Sequence, residues 1–379
     1  MTKWKIPLYK ILSDKDDEIA VAKVIKRGTD WALGQEIEQF ERALSKYVGC
    51  DYCVAFNSGT SALHAGLKAL DISPNNEVIV PSFTFIATVN SVLFINGIPK
   101  FVDIEEETLG LDPIKVESSI NKKTQAIIPI HYGGSMCKID ELKKIAQRRK
   151  IKLIEDAAES LGAYKNKKMA GTFGDISIFS FAGNKVLTTG EGGCILTNSK
   201  KLFERLKLIR SHGRLENQNY FNSSLKPNYV SLGYNWRMSS ITAALGLSQL
   251  GKIEKLIQYR RKHAKFLSSY LKKFSQIITP NEQRGSRHVY QLYSIRMQNK
   301  KIRDELTKFL TKKRIMSKVF FYPVHQTKFY QSLGYNVKNN LEKTNIISDQ
   351  ILTLPMYPGL GKEDLVYICE SLAEFMENQ

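Results

Sequence analysis

Seven short apolar runs, spaced by stretches of helix length, dominate the first two-thirds of the chain. They are YCVAF (52–56), EVIVP (77–81), IPKFVDI (98–104), QAIIPI (125–130), KLIED (152–156), DISIFSF (175–181) and GCILTN (193–198). Strands buried on both faces read as continuous apolar runs rather than alternating ones. Alternation of such runs with segments like SALHAGLKALD and KIDELKKIAQRRK predicts an α/β layered domain around a mainly parallel sheet. After about residue 250 the texture changes. KIEKLIQYRRKHAKFLSSYLKKF predicts one long amphipathic helix, and a shorter mixture of strands and helices follows it. The expected limits are a large domain over 1–250 and a smaller C-terminal domain over 251–379.

Composition narrows the class. Hydrophobic residues at 42% and charged residues at 25% are ordinary for a soluble globular protein. No run approaches the roughly 20 apolar residues that cross a bilayer. The opening MTKWKIPLYKILSDKDD carries no apolar signal core, so a cytoplasmic location is expected. Five cysteines do not make a disulfide framework, and Cys50 and Cys53 have no second pair nearby to complete a zinc site. The preferred reading of that CxxC is two small residues, partly buried, where a strand begins. The net charge of +19 (56 basic minus 37 acidic residues) is carried mostly by lysines scattered over helical stretches. With no arginine-rich tail, zinc finger or basic zipper, it reads as a solvated surface that favours a phosphate-bearing ligand, and nucleic acid is not an expected partner.

In an open parallel sheet, ligands bind beyond the carboxyl ends of the strands, so those ends are where chemistry is sought. After the first run, Asn57-Ser58-Gly59-Thr60-Ser61 leads straight into a helix, whose free N–H groups suit an anion. A plain Ser/Thr N-cap explains the same residues. The segment is neither GxxxxGK[ST] nor GxGxxG. The fifth run ends in Glu155-Asp156, and an acid there is costly unless a cation meets it. The sixth ends in Ser180, and Lys185 lies five residues on, just ahead of Gly190, Gly192 and Gly193. One aldehyde cofactor, pyridoxal 5′-phosphate, would join these positions. It needs an amine, a carboxylate for its ring nitrogen and a phosphate cup. Lys185, Asp156, and the Ser58–Thr60 turn with Ser180 could supply all three, with Phe85 of PSFTF as a stacking ring.

These residues carry a resemblance. NSGTSALH (57–64), VPSFTFIATVNSV (80–92), EDAAESLGA (155–163), GTFGDISIFSFAGNKVLTTGEGG (171–193), LGYNWRMSSITAALGLSQL (232–250), FYPVH (321–325) and LPMYPGL (354–360) resemble the DegT/DnrJ/EryC1/StrS sugar aminotransferases. The resemblance implies fold type I of the pyridoxal-phosphate transferases (aspartate aminotransferase-like), with a seven-stranded sheet and a small C-terminal α+β domain. It implies that Lys185 holds the cofactor as an imine and later shuttles a proton, and that Asp156 pairs with the ring nitrogen. Glu159 would approach the ring hydroxyl. Gly59, Thr60 and Ser180 would bind the phosphate, Phe85 would lie against the ring, and Asn235 of GYNWRM would come from a neighbouring subunit. That last match implies a homodimer with shared active sites. Family members that remove a hydroxyl carry histidine in place of the lysine, so Lys185 favours transamination.

Within the family, the 173–193 run with FYPVH and VYICESLAEF is similar to the branch acting on GDP-4-keto-6-deoxymannose. The expected reaction moves an amine from L-glutamate to carbon 4 of that sugar, with His325 near it. HYGG (131–134) is one residue shorter than many relatives, and Ala182 stands where that branch often has an aromatic. A UDP- or dTDP-linked keto sugar, or amination at carbon 3, is the alternative inside the class. A basic nucleic-acid-binding α/β protein is the alternative outside it, and it would leave Lys185 and Asp156 idle.

Overall fold

The computed structural model describes residues 4–215, 224, 226–335 and 341–378. Its strands, in chain order, are β1 (Tyr52–Phe56), β2 (Glu77–Pro81), β3 (Ile98–Val102), β4 (Thr124–Ile127), β5 (Lys152–Asp156), β6 (Tyr164–Lys165), β7 (Lys168–Met169), β8 (Ile176–Ser180), β9 (Gly193–Thr197), β10 (Ser286–Arg287), β11 (Tyr293–Arg296) and β12 (Ile351–Leu354). All seven apolar runs form strands. They make one sheet in the order β1-β9-β8-β5-β4-β2-β3. Neighbours from β8 to β3 are parallel, whereas β9 runs antiparallel to both β1 and β8. The mainly parallel sheet holds, with β9 reversed because a twelve-residue loop after β8 turns straight back.

Both faces of the sheet are buried, which is why its strands do not alternate. On β2, Val78 and Val80 pack with Leu67 and Val89 from the helices Gly59–Ala69 and Ile86–Leu93. Ile79, between them, faces the other way and joins Phe40, Leu142 and Ala243 from the helices Gln35–Val48, Ile139–Arg149 and Ser240–Gly251. Cys50 and Cys53 are buried in this second layer, where the Cys50 thiol donates to the Gly171 carbonyl at 3.3 Å.

The C-terminal unit has its own core. Leu306, Leu310, Ile368 and Leu372, from the helices Lys300–Lys312 and Lys362–Glu377, cover the β11–β12 pair. Its limits differ from the expected cut at residue 250. Ile6 is fully buried in this core and bridges to Ile315, so this N-terminal residue packs here rather than with the large domain. The helix Ile253–Leu271 spans both units. Ile253, Leu256 and Ile257 pack under the large sheet, and Ala264, Leu267 and Leu271 pack in the small core. An apolar stripe names a buried face but not the partner it is buried against.

β5 ends in two adjacent acids, and strand alternation sends their side chains to opposite sides. Glu155 is fully buried, and its two oxygens receive N–H groups from Gly171 (2.9 Å), Phe173 (2.6 Å), Gly174 (2.7 Å) and the His131 ring (3.0 Å). One carboxylate thus ties the loop before β8 and the segment after β4 to the end of β5. Glu155→Ala strands these donors and should destabilise the chain by about 3 kcal/mol. Glu117→Ala removes only surface pairs with Arg148 and Arg149 and should change stability by less than about 1 kcal/mol. Urea midpoints of the two variants check this; similar midpoints would mean that Glu155 is not the tie described.

Candidate active site

The carboxyl ends of β1, β2, β5 and β8 lie at one edge of the sheet, and β9 starts there, with Gly193 in register with both Phe56 and Ser180. The loops after β1, β2, β5 and β8 therefore converge on a cleft of about 370 Å³. Ser58, Gly59, Thr60, Phe85, Asp156, Glu159, Ser180 and Lys185 all line it. Eight of the ten residues singled out in the sequence stand together.

The anion end is the N-terminus of the helix Gly59–Ala69. Ser58 caps it, its hydroxyl accepting the Ser61 N–H at 3.1 Å. The first-turn N–H groups of Gly59 and Thr60 have no partner inside a helix, and they face the cleft beside the Ser180 side chain. Two glycines make this geometry possible. A Cβ on Gly59 would lie 3.1 Å from Ser180 Cβ, and one on Gly193 would lie 2.6 Å from the Gly59 nitrogen. Of the glycines after Lys185, Gly193 thus lets the lysine hairpin press against the anion cup.

The amine end is Lys185. Its N–H closes a turn onto the Ala182 carbonyl at 3.0 Å, and Gln291 holds the adjoining Asn184 carbonyl at 2.7 Å. Lys185 Nζ lies 3.5 Å from Glu159 Oε1, with both side chains largely buried. The other Glu159 oxygen accepts the Gly133 N–H at 2.8 Å, so Glu159 joins the lysine to the HYGG turn.

Asp156 stands opposite. Burial pushes its carboxyl above the ordinary range, against the opposing pull of the Thr88 hydroxyl, the Ala158 N–H and the positive charge of Lys185. Thr88 donates to Oδ2 at 2.7 Å and Ala158 to Oδ1 at 3.2 Å. With no cation in contact among the described residues, this buried acid is the site a protonated ring nitrogen would complete. Carboxylate, amine, anion cup and the half-exposed Phe85 together fit pyridoxal 5′-phosphate.

Two expected residues lie elsewhere. His325 does not line the cleft: it is 1% exposed, its Nδ1 hydrogen-bonded with the Ser82 hydroxyl at 2.7 Å. The turn Val324–Gln326 tucks it beneath β2, through the Val324 N–H to the Ser82 carbonyl, and leaves Phe320 and Phe321 to form the cleft wall. Asn235 is exposed and outside the cleft, paired to Ser211. The structure adds Thr84, Thr88 and His131, which sequence reasoning passed over. Thr84 and Thr88 sit in the very stretch that supplied Phe85, and their place after β2 was the available signal.

A doubly wound sheet with a lysine, a buried aspartate and a helix-capped anion cup at its carboxyl edge defines a pyridoxal-phosphate enzyme of fold type I. Residues 12–373 match the DegT/DnrJ/EryC1/StrS aminotransferase family, and the chain belongs to it. Its cofactor is pyridoxal 5′-phosphate. The chain is 35% identical to the GDP-perosamine synthase of Caulobacter vibrioides, over 92% of each chain. It is 31% identical to the UDP-4-amino-4,6-dideoxy-N-acetyl-beta-L-altrosamine transaminase of Campylobacter jejuni, over 96% of each. Among solved structures, Helicobacter pylori PseC, an aminotransferase involved in the biosynthesis of pseudoaminic acid, superposes over 100% of both chains with a TM-score of 0.92 at 29% identity. Among the described residues no helix is long and apolar enough to cross a membrane.

An acid whose folded form resists ionisation penalises the native state once pH passes the ordinary carboxylate range, and fully above its raised value. Asp156→Asn lifts that penalty. Freed of cofactor, the variant should melt about 2 °C or more above wild type at pH 8. The gap should close towards pH 4, and added cofactor should stabilise wild type more than the variant. Thermal denaturation with and without cofactor checks all three; a variant that melts lower at pH 8 contradicts the burial argument.

Proposed function

We propose that the chain transfers an amino group from L-glutamate to carbon 4 of a nucleotide-linked 4-keto-6-deoxy sugar, with GDP-4-keto-6-deoxymannose giving GDP-perosamine as the best-supported case. The observation that carries the chemistry is Lys185 and Asp156 facing one cleft from successive strand ends. Similarity to the perosamine enzymes supports the sugar. The UDP-sugar transaminase at 31% identity favours a second reading, a UDP-linked substrate at the same site.

When bound, the cofactor supplies an electron sink that loosens a C–H bond next to nitrogen. The residues do the rest. Asp156 would hold the positive ring nitrogen, and the Gly59 and Thr60 N–H groups with Ser58 and Ser180 would hold the phosphate. Phe85 would lie against one ring face, and Phe320 and Phe321 make that wall of the cleft apolar. Glu159, paired with the lysine, would also approach the ring hydroxyl. Lys185 Nζ takes the proton from the donor's carbon and returns a proton to the sugar's carbon 4. Two half-reactions share the one cleft, so the kinetics should be ping-pong.

The same reading makes the enzyme a homodimer in which Asn235 reaches the partner's phosphate. Its exposed place outside its own cleft supports that assignment.

Lys185→Ala should lower turnover at least about 1,000-fold while leaving the fold intact. Hydride reduction followed by mass spectrometry should find the trapped cofactor on Lys185. Across a panel of GDP-, UDP- and dTDP-linked 4-keto-6-deoxy sugars, kcat/KM should be highest for the GDP-mannose derivative; a UDP preference selects the second reading. Co-expressing Lys185→Ala with Asn235→Ala subunits tests the shared site. Half the dimers would be mixed, each with one intact site, so activity should return to about a quarter of wild type. No recovery means that Asn235 serves its own subunit, and Asn235→Ala dimers that are fully active alone mean that it serves neither.

A further inference from the structure

One chain of hydroxyls in the cleft has no role in the mechanism above. Thr84 Oγ1 lies 2.8 Å from Thr88 Oγ1, and Thr88 Oγ1 lies 2.7 Å from Asp156 Oδ2. Thr84 is 3% exposed and Thr88 1%, yet both line the cleft. They stand four residues apart, Thr84 just before the Phe85 cap of the helix Ile86–Leu93 and Thr88 in its first turn, so the entry into the helix brings the two hydroxyls together.

The direction of these bonds follows from counting hydrogens. A hydroxyl has one proton to give and two lone pairs. Ionised Asp156 can only accept, so Thr88 must spend its proton there. Thr88 can then only accept from Thr84, whose proton is spent in turn. The outer oxygen of Thr84 is left to receive a bond from whatever occupies the cleft. Were Asp156 protonated, the chain could run the opposite way. The relay therefore has a fixed polarity while the acid is ionised, and bonds in such a chain reinforce one another.

We propose that Thr88 is a positioning residue that holds Asp156 in its ionised, acceptor-only state, and that Thr84 acts on Asp156 solely through Thr88. Other charged groups also face the acid. Lys185 approaches it from the hairpin after β8, with Glu159 paired to that lysine, and His131 approaches from the segment after β4. None of these contacts either threonine hydroxyl among the described hydrogen bonds, so the relay can be removed without disturbing them.

The inference rests on the placement of the cofactor against Asp156 proposed above. Its test uses the holoenzyme and reads the visible absorbance of the bound cofactor against pH, together with cofactor retention on dialysis. Thr88→Val keeps the shape and deletes the hydroxyl. It should move the absorbance midpoint up by about one pH unit and weaken retention about tenfold, as expected for one lost hydrogen bond to a charged oxygen. Thr88→Ser should restore both. Thr84→Val should move the midpoint in the same direction by less. The double variant Thr84→Val/Thr88→Val should match Thr88→Val alone, because a link that acts only through another adds nothing once that one is gone.

Additive shifts in the double variant overturn the relay, as does a Thr88→Val midpoint equal to wild type. If hydride trapping in wild type places the cofactor away from Lys185, the site reading fails instead. Should Thr88→Val not fold, the Thr84→Val and Thr88→Ser midpoints decide: an upward move with Thr84→Val and none with Thr88→Ser supports the relay, and any other pair overturns it.

Discussion

The end of β5 is where the molecule commits two negative charges to its interior. Neighbouring residues on a strand cannot face the same way, so Glu155 and Asp156 divide the work. Glu155 turns to the protein and is saturated by three backbone N–H groups and a histidine. Asp156 turns to the cleft and has two donors and, among the described residues, no cation in contact. The first makes a rigid edge, and the second leaves on that edge an electrostatic demand that a positively charged ring can meet. Phosphate cup, lysine hairpin and aromatic wall all take their positions from loops fastened to this edge.

Much of the fold was legible because a doubly covered sheet leaves a strong mark. Its strands need apolar residues at every position, and the seven runs supplied them. The reversal of β9 left no such mark, since a strand buried on both faces reads alike in either direction. The small unit was harder for a related reason. Apolar residues of the helix Ile253–Leu271 face two cores in succession, and Ile6 joins the distant Ile315. Which core a buried side chain enters is decided by tertiary contacts that periodicity does not record.

The site was legible to the extent that its residues follow strands directly. Ser58, Asp156, Ser180 and Lys185 lie at or within a few positions of strand ends, and the sheet brings those ends together. His325 follows no strand of the large sheet, and its turn folds it under Ser82 instead of into the cleft. Thr88 escaped notice for the opposite reason. A threonine in the first turn of a helix is ordinary, and only its 2.7 Å contact with Asp156 gives it a function to serve.

The hairpin that carries Lys185 is pinned at both ends. Ser180 leaves β8 and Gly193 enters β9 directly opposite one another, and the Gly193 backbone is wedged against Gly59. A loop clamped in this way has almost no freedom to lengthen or swing. Variation in what the enzyme accepts must therefore be written in the walls around it, such as the Phe320–Phe321 side. For anyone re-engineering the pocket, the lysine hairpin is the part to leave untouched, and the aromatic wall is the part to diversify.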